Sequence, residues 1–229
     1  MPRKEDIIAI TFSLIGTAVF FLLVVCTWSA PITATVVDSE TGQPIEDVVV
    51  VADWELRGGL EGGNPIGAWP VIEAVSDRKG KFHFPAWGPR FGFGILRDWK
   101  PELRFFKDGY AYGLRQNSAN GDWYSWRVRS IVDGTTVKLE RFRGTPKEYT
   151  ENVDRFSDEI EDLLFQNKKL CNWKNTPRLI RALDEQVRYY PQNGRRPFSS
   201  LHHYLVTNEE YYKKIGCGSA KEFLKGIAK

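Results

Sequence analysis

The side chains that most often carry out chemistry in proteins are few in this sequence. It contains three histidines, His83, His202 and His203, and none of them is followed three positions later by a glutamate. A peptidase zinc site of the His-x-x-Glu type needs an imidazole and a carboxylate on one metal ion, so that site is excluded. The adjacent His202 and His203 point about 100° apart on a helix and so rarely share an ion. The sequence therefore predicts no metal site.

Other catalytic templates are also missing. The sequence contains no phosphate-binding loop, no Gly-x-Ser-x-Gly nucleophile elbow and no Gly-x-Gly-x-x-Gly dinucleotide fingerprint. The acidic residues Glu159, Glu161 and Asp162 fit a solvated helix face better than an acid–base pair. The sequence predicts a protein that is not an enzyme and needs no cofactor. An unrecognised enzyme remains an alternative, and it requires titratable groups that cluster in a cleft.

Aromatic side chains are the more unusual feature. They make up 14% of the chain, with eight tryptophans. Four of these are candidates for stacking on sugar rings: Trp87, Trp99, Trp123 and Trp126. The alternative is that the rings fill a core and its contact with neighbouring helices, because buried aromatic side chains dominate core packing. The exposure of the rings distinguishes the two interpretations: exposed rings favour stacking on sugars, and buried rings favour packing in a core.

Composition narrows the class of protein. The chain has 229 residues, 42% of them hydrophobic and 27% charged, which is typical of a folded protein of one or two domains. The 32 basic residues nearly balance the 29 acidic ones, giving a formal net charge of +3. That balance argues against nucleic acid as a partner.

The N-terminus predicts the compartment. After Arg3 and Lys4, which are offset by two acidic residues, residues 7–25 form an uncharged apolar stretch. Nineteen residues at about 1.5 Å per residue match the hydrocarbon thickness of a bilayer. We expect a single-pass N-terminal hydrophobic helix with the downstream chain exported, on the periplasmic or extracellular side of the cell membrane.

Two other interpretations of this segment stay open. A cleaved signal peptide would be cut after Thr27-Trp28-Ser29, before Ala30, leaving a soluble periplasmic or secreted protein. Lipidation of Cys26 is a weaker possibility, because Val25 is not the small residue that usually precedes a lipidated cysteine. All three interpretations export residues 31–229.

The region after the apolar segment predicts short strands. Turn residues separate runs rich in β-branched and aromatic side chains, and Asp47–Leu56 has a continuous apolar run typical of a strand buried on both faces. Residues 57–70, with five glycines and two prolines, are predicted to be a loop. The predicted strands are Ile32–Val37, Asp47–Leu56, Val71–Ser76, Lys81–Ala86, Glu102–Phe106, Ser125–Val132 and Thr135–Phe142.

The periodicity changes to a helical one at Thr145. Thr145-Pro146-Lys147-Glu148 and Ser219-Ala220-Lys221-Glu222 are capping boxes, and Thr176-Pro177 also begins a helix. Shorter helices are predicted near 201–206 and 209–215. The chain thus divides into an N-terminal segment (1–30), a mainly β domain (31–144) and a small α-helical region (145–229).

Two turns carry a resemblance to a known family. Asp38, Thr41, Gly42 and Pro44 follow the first predicted strand, and Asp77, Gly80 and Phe82 form a second hairpin motif after Ser76. A third segment, Lys107-Asp108-Gly109-Tyr110, comes near the end of the β region. In order and spacing these motifs resemble carboxypeptidase regulatory-like domains of bacterial cell-envelope proteins. The resemblance covers about residues 31–143 and implies a transthyretin-like (prealbumin-like) Greek-key β-sandwich without catalytic residues.

The predicted export would place Cys171 and Cys217 in an oxidising compartment. In an oxidising compartment Cys171 and Cys217 usually pair. The sequence favours this disulfide over two buried free thiols, and the bridge would join the start of the second long helix to the C-terminal helix.

Three functions remain at this point. The first is an envelope-anchored or exported binding or scaffold module, with the membrane and an unknown envelope protein as partners. The second is a carbohydrate-binding module that uses exposed tryptophans on a glycan. The third is the unrecognised enzyme. The resemblance and the missing catalytic motifs favour the first.

Overall fold

A computed structural model of the chain describes residues 26–58, 64–91, 95–96, 101–115, 130–165, 171–189 and 201–227, together with residues 11, 13 and 16. Its strands are β1 (Cys26–Ser29), β2 (Ile32–Asp38), β3 (Val49–Gly58), β4 (Asn64–Val75), β5 (Lys81–Phe84), β6 (Trp87–Phe91), β7 (Ile95–Leu96), β8 (Glu102–Phe106), β9 (Gly113–Arg115) and β10 (Thr136–Leu139). Its helices are α1 (Pro146–Phe165), a 3-10 turn (Asn172–Asn175), α2 (Pro177–Tyr189), α3 (Leu201–Thr207), α4 (Glu209–Lys214) and α5 (Ala220–Ile227).

The strands form three sheets. Strand β2 lies between β10, which is parallel to it, and β5, which is antiparallel. A larger sheet has the order β4-β3-β8-β9, with β7 also pairing with β3. Strands β1 and β6 form a separate antiparallel pair. The prediction of a β region followed by a helical region is confirmed, and the chain as a whole is mixed α and β, because helices build most of the described residues after 145.

Strand β3 separates two hydrophobic cores. Val48, Val50 and Ala52 pack with β2, β5, β8 and β10 in one cluster. Val49 and Val51 point the other way and pack with the helices in a second cluster. Successive side chains of a strand alternate between its faces, so a continuous apolar run fits a strand covered on both sides. The prediction for this strand is confirmed.

The helical region packs on the outer face of the larger sheet through aromatic contacts. The Phe106 ring on β8 lies parallel to the Phe156 ring on α1, with centroids 5.5 Å apart. The Tyr112 ring lies 5.2 Å from the same Phe156 ring. Since Phe156 is fully buried, this stack ties α1 to the sheet.

The local signals for the helix starts are confirmed. Helix α1 begins at Pro146, and the capping box forms as predicted: the Glu148 carboxylate accepts a hydrogen bond from the Thr145 N–H at 2.7 Å, and the Glu148 N–H donates to the Thr145 hydroxyl at 3.3 Å. The predicted disulfide Cys171–Cys217 is also present, with Cα atoms 5.6 Å apart. It joins the residue before the 3-10 turn to the segment between α4 and α5.

Three sequence predictions differ from the structure. Residues 64–70, predicted to be loop, belong to β4, where they pair with β3 through a bulged register. Of the predicted strand Ser125–Val132, residues 125–129 lie outside the described residues, and the segment 131–134 is a turn. Strand β10 is shorter than predicted. Among the described residues, no helix is long and apolar enough to span a bilayer, and most of residues 7–25 lie outside them.

The short β1–β6 pair continues the ladder of the three-stranded sheet. Ile32 of β2 is opposite Phe84 of β5, and Ser29 of β1 is opposite Trp87 of β6, in the same register. Pro31 and Pro85 fall opposite each other between these pairs. Proline has no N–H to donate, so the ladder is interrupted there and then resumes.

A carboxylate distant in sequence completes the cap of α5. The Glu209 side chain is buried and accepts hydrogen bonds from the Ser219 hydroxyl at 2.7 Å and from the N–H groups of Ala220 and Lys221 at 2.7 and 3.1 Å. Lys213 lies 3.1 Å away on α4. The Ser219 hydrogen bond, with these other partners, lowers the pKa of Glu209 from 4.5 to about 2.

This shift predicts a pH dependence of stability. Because the folded-state pKa of Glu209 is depressed, its contribution is fully present above pH 4.5 and is lost as the pH falls toward about 2. We expect Glu209→Gln to lower the melting temperature at pH 7. Between pH 4.5 and about 2, the melting temperature of this variant should fall less than that of the wild-type protein. Glu210→Gln is the matched control, because that neighbour is 89% exposed. Identical melting curves for the two variants would contradict the assignment.

Candidate functional site

A cleft of about 760 Å³ lies where the ends of β3, β4 and β8 meet α2 and the end of α5. Its floor is apolar and its rim is charged. The floor residues are Val49, Val75, Phe106, Ala182 and Ile227. The rim residues are Asp47, Lys107, Asp108, Arg178, Arg181 and Glu185. The cleft therefore offers apolar contact in the centre and both signs of charge around it.

The floor is held rigidly. Phe106 and Val49 are only 5% and 6% exposed, and the Phe106 ring is stacked on Phe156 beneath it. Side chains in such a packed layer keep their rotamers. The shape of the floor is thus set by the contact between the sheet and α1.

Some rim charges have partners. Arg181 Nε lies 3.0 Å from Glu185 Oε1, one turn along α2. The Asp108 carboxylate accepts a hydrogen bond from the Tyr149 hydroxyl at 2.8 Å, and that hydroxyl accepts one from the Gly109 N–H at 3.0 Å. With three cations and three anions, the rim carries no formal net charge.

Gln186 is the unusual lining residue. It is 5% exposed, and its Oε1 is buried with no hydrogen-bond partner among the residues that the structure describes. Buried side-chain polar atoms nearly always have a partner, and each exception needs an explanation. Within the described ranges, the cleft therefore contains a buried acceptor to which no donor is bonded.

A second cavity of about 510 Å³ extends the cleft along the end of β4. The two share Asp47, Val75 and Arg178. We call the combined feature the β4 groove. Glu73 and Ala74 of β4, together with Ser76 just after it, line the second half, so the end of β4 forms one wall.

A half-buried carboxylate joins the two walls of the β4 groove. The Glu73 side chain on β4 accepts hydrogen bonds from the N–H groups of Arg178 and Leu179 at 3.1 and 2.8 Å. Anions are stabilised at helix N-termini, where N–H groups lack partners within the helix. Burial nevertheless raises the pKa of Glu73 above its usual value. The start of α2 is thus fixed to the edge of the sheet.

The first family-motif turn is a structural junction. Asp38 is 2% exposed, and its carboxylate accepts hydrogen bonds from the N–H groups of Glu40 and Thr41 and from the Thr41 hydroxyl. Tyr110 OH and Arg141 Nε also donate to it, at 2.9 and 2.7 Å. These bonds, that of the Thr41 N–H above all, hold the pKa of Asp38 well below its usual range. The carboxylate joins three parts of the β region.

The remaining motif residues shape turns and the core. Gly42 has φ of +68°, and Pro44 forms an isolated bridge with Val37. Gly80 has φ of +71°, and a Cβ there would come within 2.3 Å of a backbone oxygen of β2. Asp77 Oδ1 accepts hydrogen bonds from the backbone of the same hairpin, and the buried Phe82 ring lies 5.7 Å from the Phe105 ring. Of the motif residues, Ser76, Asp77, Lys107 and Asp108 line the β4 groove.

Trp87 belongs to the core. It is 9% exposed, and its ring lies edge-on to Trp54 with centroids 5.2 Å apart. Its faces are therefore not open to a sugar, and the core alternative holds for this residue. Trp99, Trp123 and Trp126 lie outside the described residues.

The histidines occupy separate places. His83 Nδ1 is 2.7 Å from the Thr33 hydroxyl on β2, and His202 Nδ1 is 2.8 Å from Asp184 Oδ2 on α2. Within the part of the chain that the structure describes, no group of three or more His, Cys, Asp or Glu side chains is arranged to hold a metal ion.

No local pattern in the sequence predicts the β4 groove. Its lining residues come from the start of β3, the end of β4, the turn after β8 and two helices. Four of the lining residues belong to family motifs, and the sequence predicted no binding role for them: Ser76, Asp77, Lys107 and Asp108. The Glu73 contact with α2 spans 105 and 106 positions, and no local pattern signals such a pairing.

Comparison with known proteins gives no family. No family model matches the chain, and no curated protein is similar to it. Among solved structures, a 9R-lipoxygenase from Cyanothece PCC8801 aligns at 15% identity with a TM-score of 0.29. The alignment covers 78% of this chain and 30% of that one. A TM-score this low carries no argument about fold or activity.

Proposed function

We propose that this chain is an exported, non-catalytic binding module and that its partner binds in the β4 groove. The observation that carries the proposal is the cleft itself, in which an apolar floor, a rim of both charges and an unpaired buried acceptor occur together. Binding sites in proteins are commonly concave and largely apolar, with a few polar groups that fix orientation.

Two features support export with an uncleaved anchor. Disulfides persist mainly in oxidising compartments, and Cys171–Cys217 is bonded. Cleavage before Ala30 would remove all of β1, which pairs with β6 and includes the buried Ser29. We therefore favour residues 7–25 as a membrane helix, with the chain from residue 31 onward outside the cell membrane.

The β region supports the family resemblance as a proposal. The three-stranded sheet and the larger sheet share one hydrophobic cluster, as expected of a sandwich. The Asp38 turn and the Gly80 hairpin, whose residues carry the resemblance, both form local hydrogen-bonded turns. We propose that the β region is a transthyretin-like sandwich of that family, and such a domain is a non-catalytic module.

A glycan partner has less support in the β4 groove. Among the described lining residues the aromatic one is Phe106, which is 5% exposed and stacked against Phe156. Sugar binding by aromatic stacking would depend on Trp99, Trp123 and Trp126, and it stays a prediction.

Site-specific photocrosslinking in the native envelope tests the binding function. A photoreactive phenylalanine analogue in place of Arg181 is expected to give a discrete adduct with the partner. The same analogue at Lys81, an exposed position on β5, is the control and should give none. Adding Ala182→Arg, which fills the floor, should abolish the Arg181 adduct. No adduct from the groove, or an adduct that survives Ala182→Arg, would contradict the proposal.

A further inference from the structure

Exposed apolar side chains lie at the end of the three-stranded sheet where β2 begins. Two of the three exposed large hydrophobic side chains among the described residues are Trp28 and Ile131, at 44% and 46% exposure. Trp28 lies on β1, and Ile131 lies in the turn before β10. This turn is joined to the start of β2, because the Thr33 N–H donates to Asp133 Oδ1 at 2.9 Å and the Gly134 N–H donates to the Thr33 carbonyl at 2.8 Å.

The chain around Trp28 is uncharged. Residues 26–37 contain no charged residue, and neither do residues 84–89, which include the start of the strand paired with β1. Pro31, Pro85 and Ala86 are exposed in these stretches. An uncharged surface can leave bulk water without the large cost of desolvating a charge. This end of the sheet is therefore suited to a partly apolar environment.

The opposite end of β2 is charged instead. Asp38 is the last residue of β2 and lies about 20 Å along the strand from Ile32, the first, at about 3.3 Å per residue. Arg141 pairs with Asp38 there, and Arg143 pairs with Glu40. The three-stranded sheet thus changes from apolar to charged along the direction of its central strand.

The β4 groove lies at the charged end. Ser76, which lines the groove, donates its hydroxyl to the Ile45 carbonyl at 2.7 Å. The Ile45 N–H in turn donates to the carbonyl of Val36, near the end of β2, at 3.1 Å. The exposed apolar end is therefore separate from the groove, and a partner in the groove would not cover it.

The position of β1 indicates what covers the apolar end. Strand β1 begins at Cys26, directly after the apolar stretch 7–25, the proposed membrane anchor. A surface this close to the anchor is held beside the lipid headgroups. Tryptophan is enriched at that depth of a membrane, because its ring is apolar and its N–H can donate a hydrogen bond to headgroups or water.

The anchor also makes a small contact sufficient. Interfacial binding scales with the buried apolar area, so two side chains would bind a free protein to a bilayer only weakly. A short tether converts this contact into an intramolecular one, with an effective concentration on the order of millimolar. A weak contact can then set the orientation of the tethered domain.

We propose that the end of the three-stranded sheet at Trp28 and Ile131 docks into the headgroup layer of the membrane that holds residues 7–25. This rests on the anchoring in the proposed function and is independent of the identity of the groove's partner. With this end on the bilayer, the β4 groove faces away from the membrane, where an envelope partner can reach it.

The test uses the full chain with Cys26→Ser, which keeps the disulfide, in phosphatidylcholine vesicles. Ala86→Cys and, as the matched control, Glu140→Cys are labelled with a fluorophore in the absence of reductant. Both positions are exposed, the first beside Trp87 and the second just after β10, at the charged end. We expect phosphatidylcholine with a nitroxide in its headgroup to quench most of the emission at position 86 and little of that at position 140.

Substitutions at the contact distinguish docking from mere closeness to the tether. Trp28→Ser with Ile131→Ser should lose much of the quenching at position 86, whereas Trp28→Phe with Ile131→Leu should retain it. Equal quenching at positions 86 and 140, or full quenching at position 86 in the double serine variant, would overturn the docking.

Extraction with alkaline carbonate separates this proposal from the proposed function. A chain that stays in the vesicles but shows equal quenching at the two positions keeps its anchor and loses the docking alone. A chain that carbonate removes from the vesicles would overturn the anchor and the docking together. The adduct from position 181 reports on the groove in either case.

Discussion

Replacing Phe156 by alanine is expected to lower the free energy of unfolding by about 3–5 kcal/mol, the usual cost of deleting a buried aromatic ring. Phe156 is fully buried and lies between Phe106 and Tyr112. Without the Phe156 ring, the main aromatic contact between the helical region and the larger sheet is missing. Urea denaturation followed by circular dichroism measures the effect, and the midpoint should fall.

Tyr211→Ala is the control for this prediction, because Tyr211 is 39% exposed. Substitutions at such sites usually change stability by less than about 1 kcal/mol. The Phe156 variant should also give a weaker photocrosslinked adduct from position 181, since Phe106 forms the floor of the β4 groove. A Phe156→Ala protein as stable as Tyr211→Ala would show that the helices do not depend on this stack.

Loss of the disulfide is the second large effect. Opening a bridge that closes a separation of 46 residues is expected to cost about 4 kcal/mol in the chain-entropy model. We expect Cys171→Ser with Cys217→Ser to lower the melting temperature of the helical region sharply. Thermal unfolding with and without dithiothreitol measures this, and reductant should lower the wild-type value to that of the double variant.

Cys26→Ser gives a matched control, because it removes the third cysteine and leaves the bridge intact. Its melting temperature should still respond to dithiothreitol, whereas the double variant should not respond. A wild-type protein that is indifferent to reductant would mean that the bridge does not limit stability.

Features with a local cause could be predicted from the sequence. The capping box at Thr145, the hairpin closed by Gly80 and the doubly buried strand β3 all follow from residues within a few positions of one another. The disulfide was predicted because the N-terminal apolar segment predicted export, and cysteines in an oxidising compartment usually pair. Each of these features follows from one sequence pattern, and contacts with distant residues do not change the outcome.

Features that depend on distant partners could not be predicted. Residues 64–70 are rich in loop-forming residues, yet they pair with β3 because a neighbouring strand was available. The Glu73 carboxylate caps a helix more than a hundred positions away, and it places α2 beside β4. The β4 groove is a product of that contact, so no stretch of sequence contains it.

The register that Ser29↔Trp87 shares with Ile32↔Phe84 aligns β1 with β2, and this alignment has a mechanical consequence. If the chain is anchored through residues 7–25, any tension between the membrane and a bound partner enters the protein at Cys26 and runs lengthwise along β1 and β2. Hydrogen bonds in these ladders lie across the direction of the pull, so the load is shared among them in shear instead of opening them one at a time. Strand β10 holds β2 on its other side. With such an anchor, the load would enter the protein in the geometry that best resists extraction of a strand.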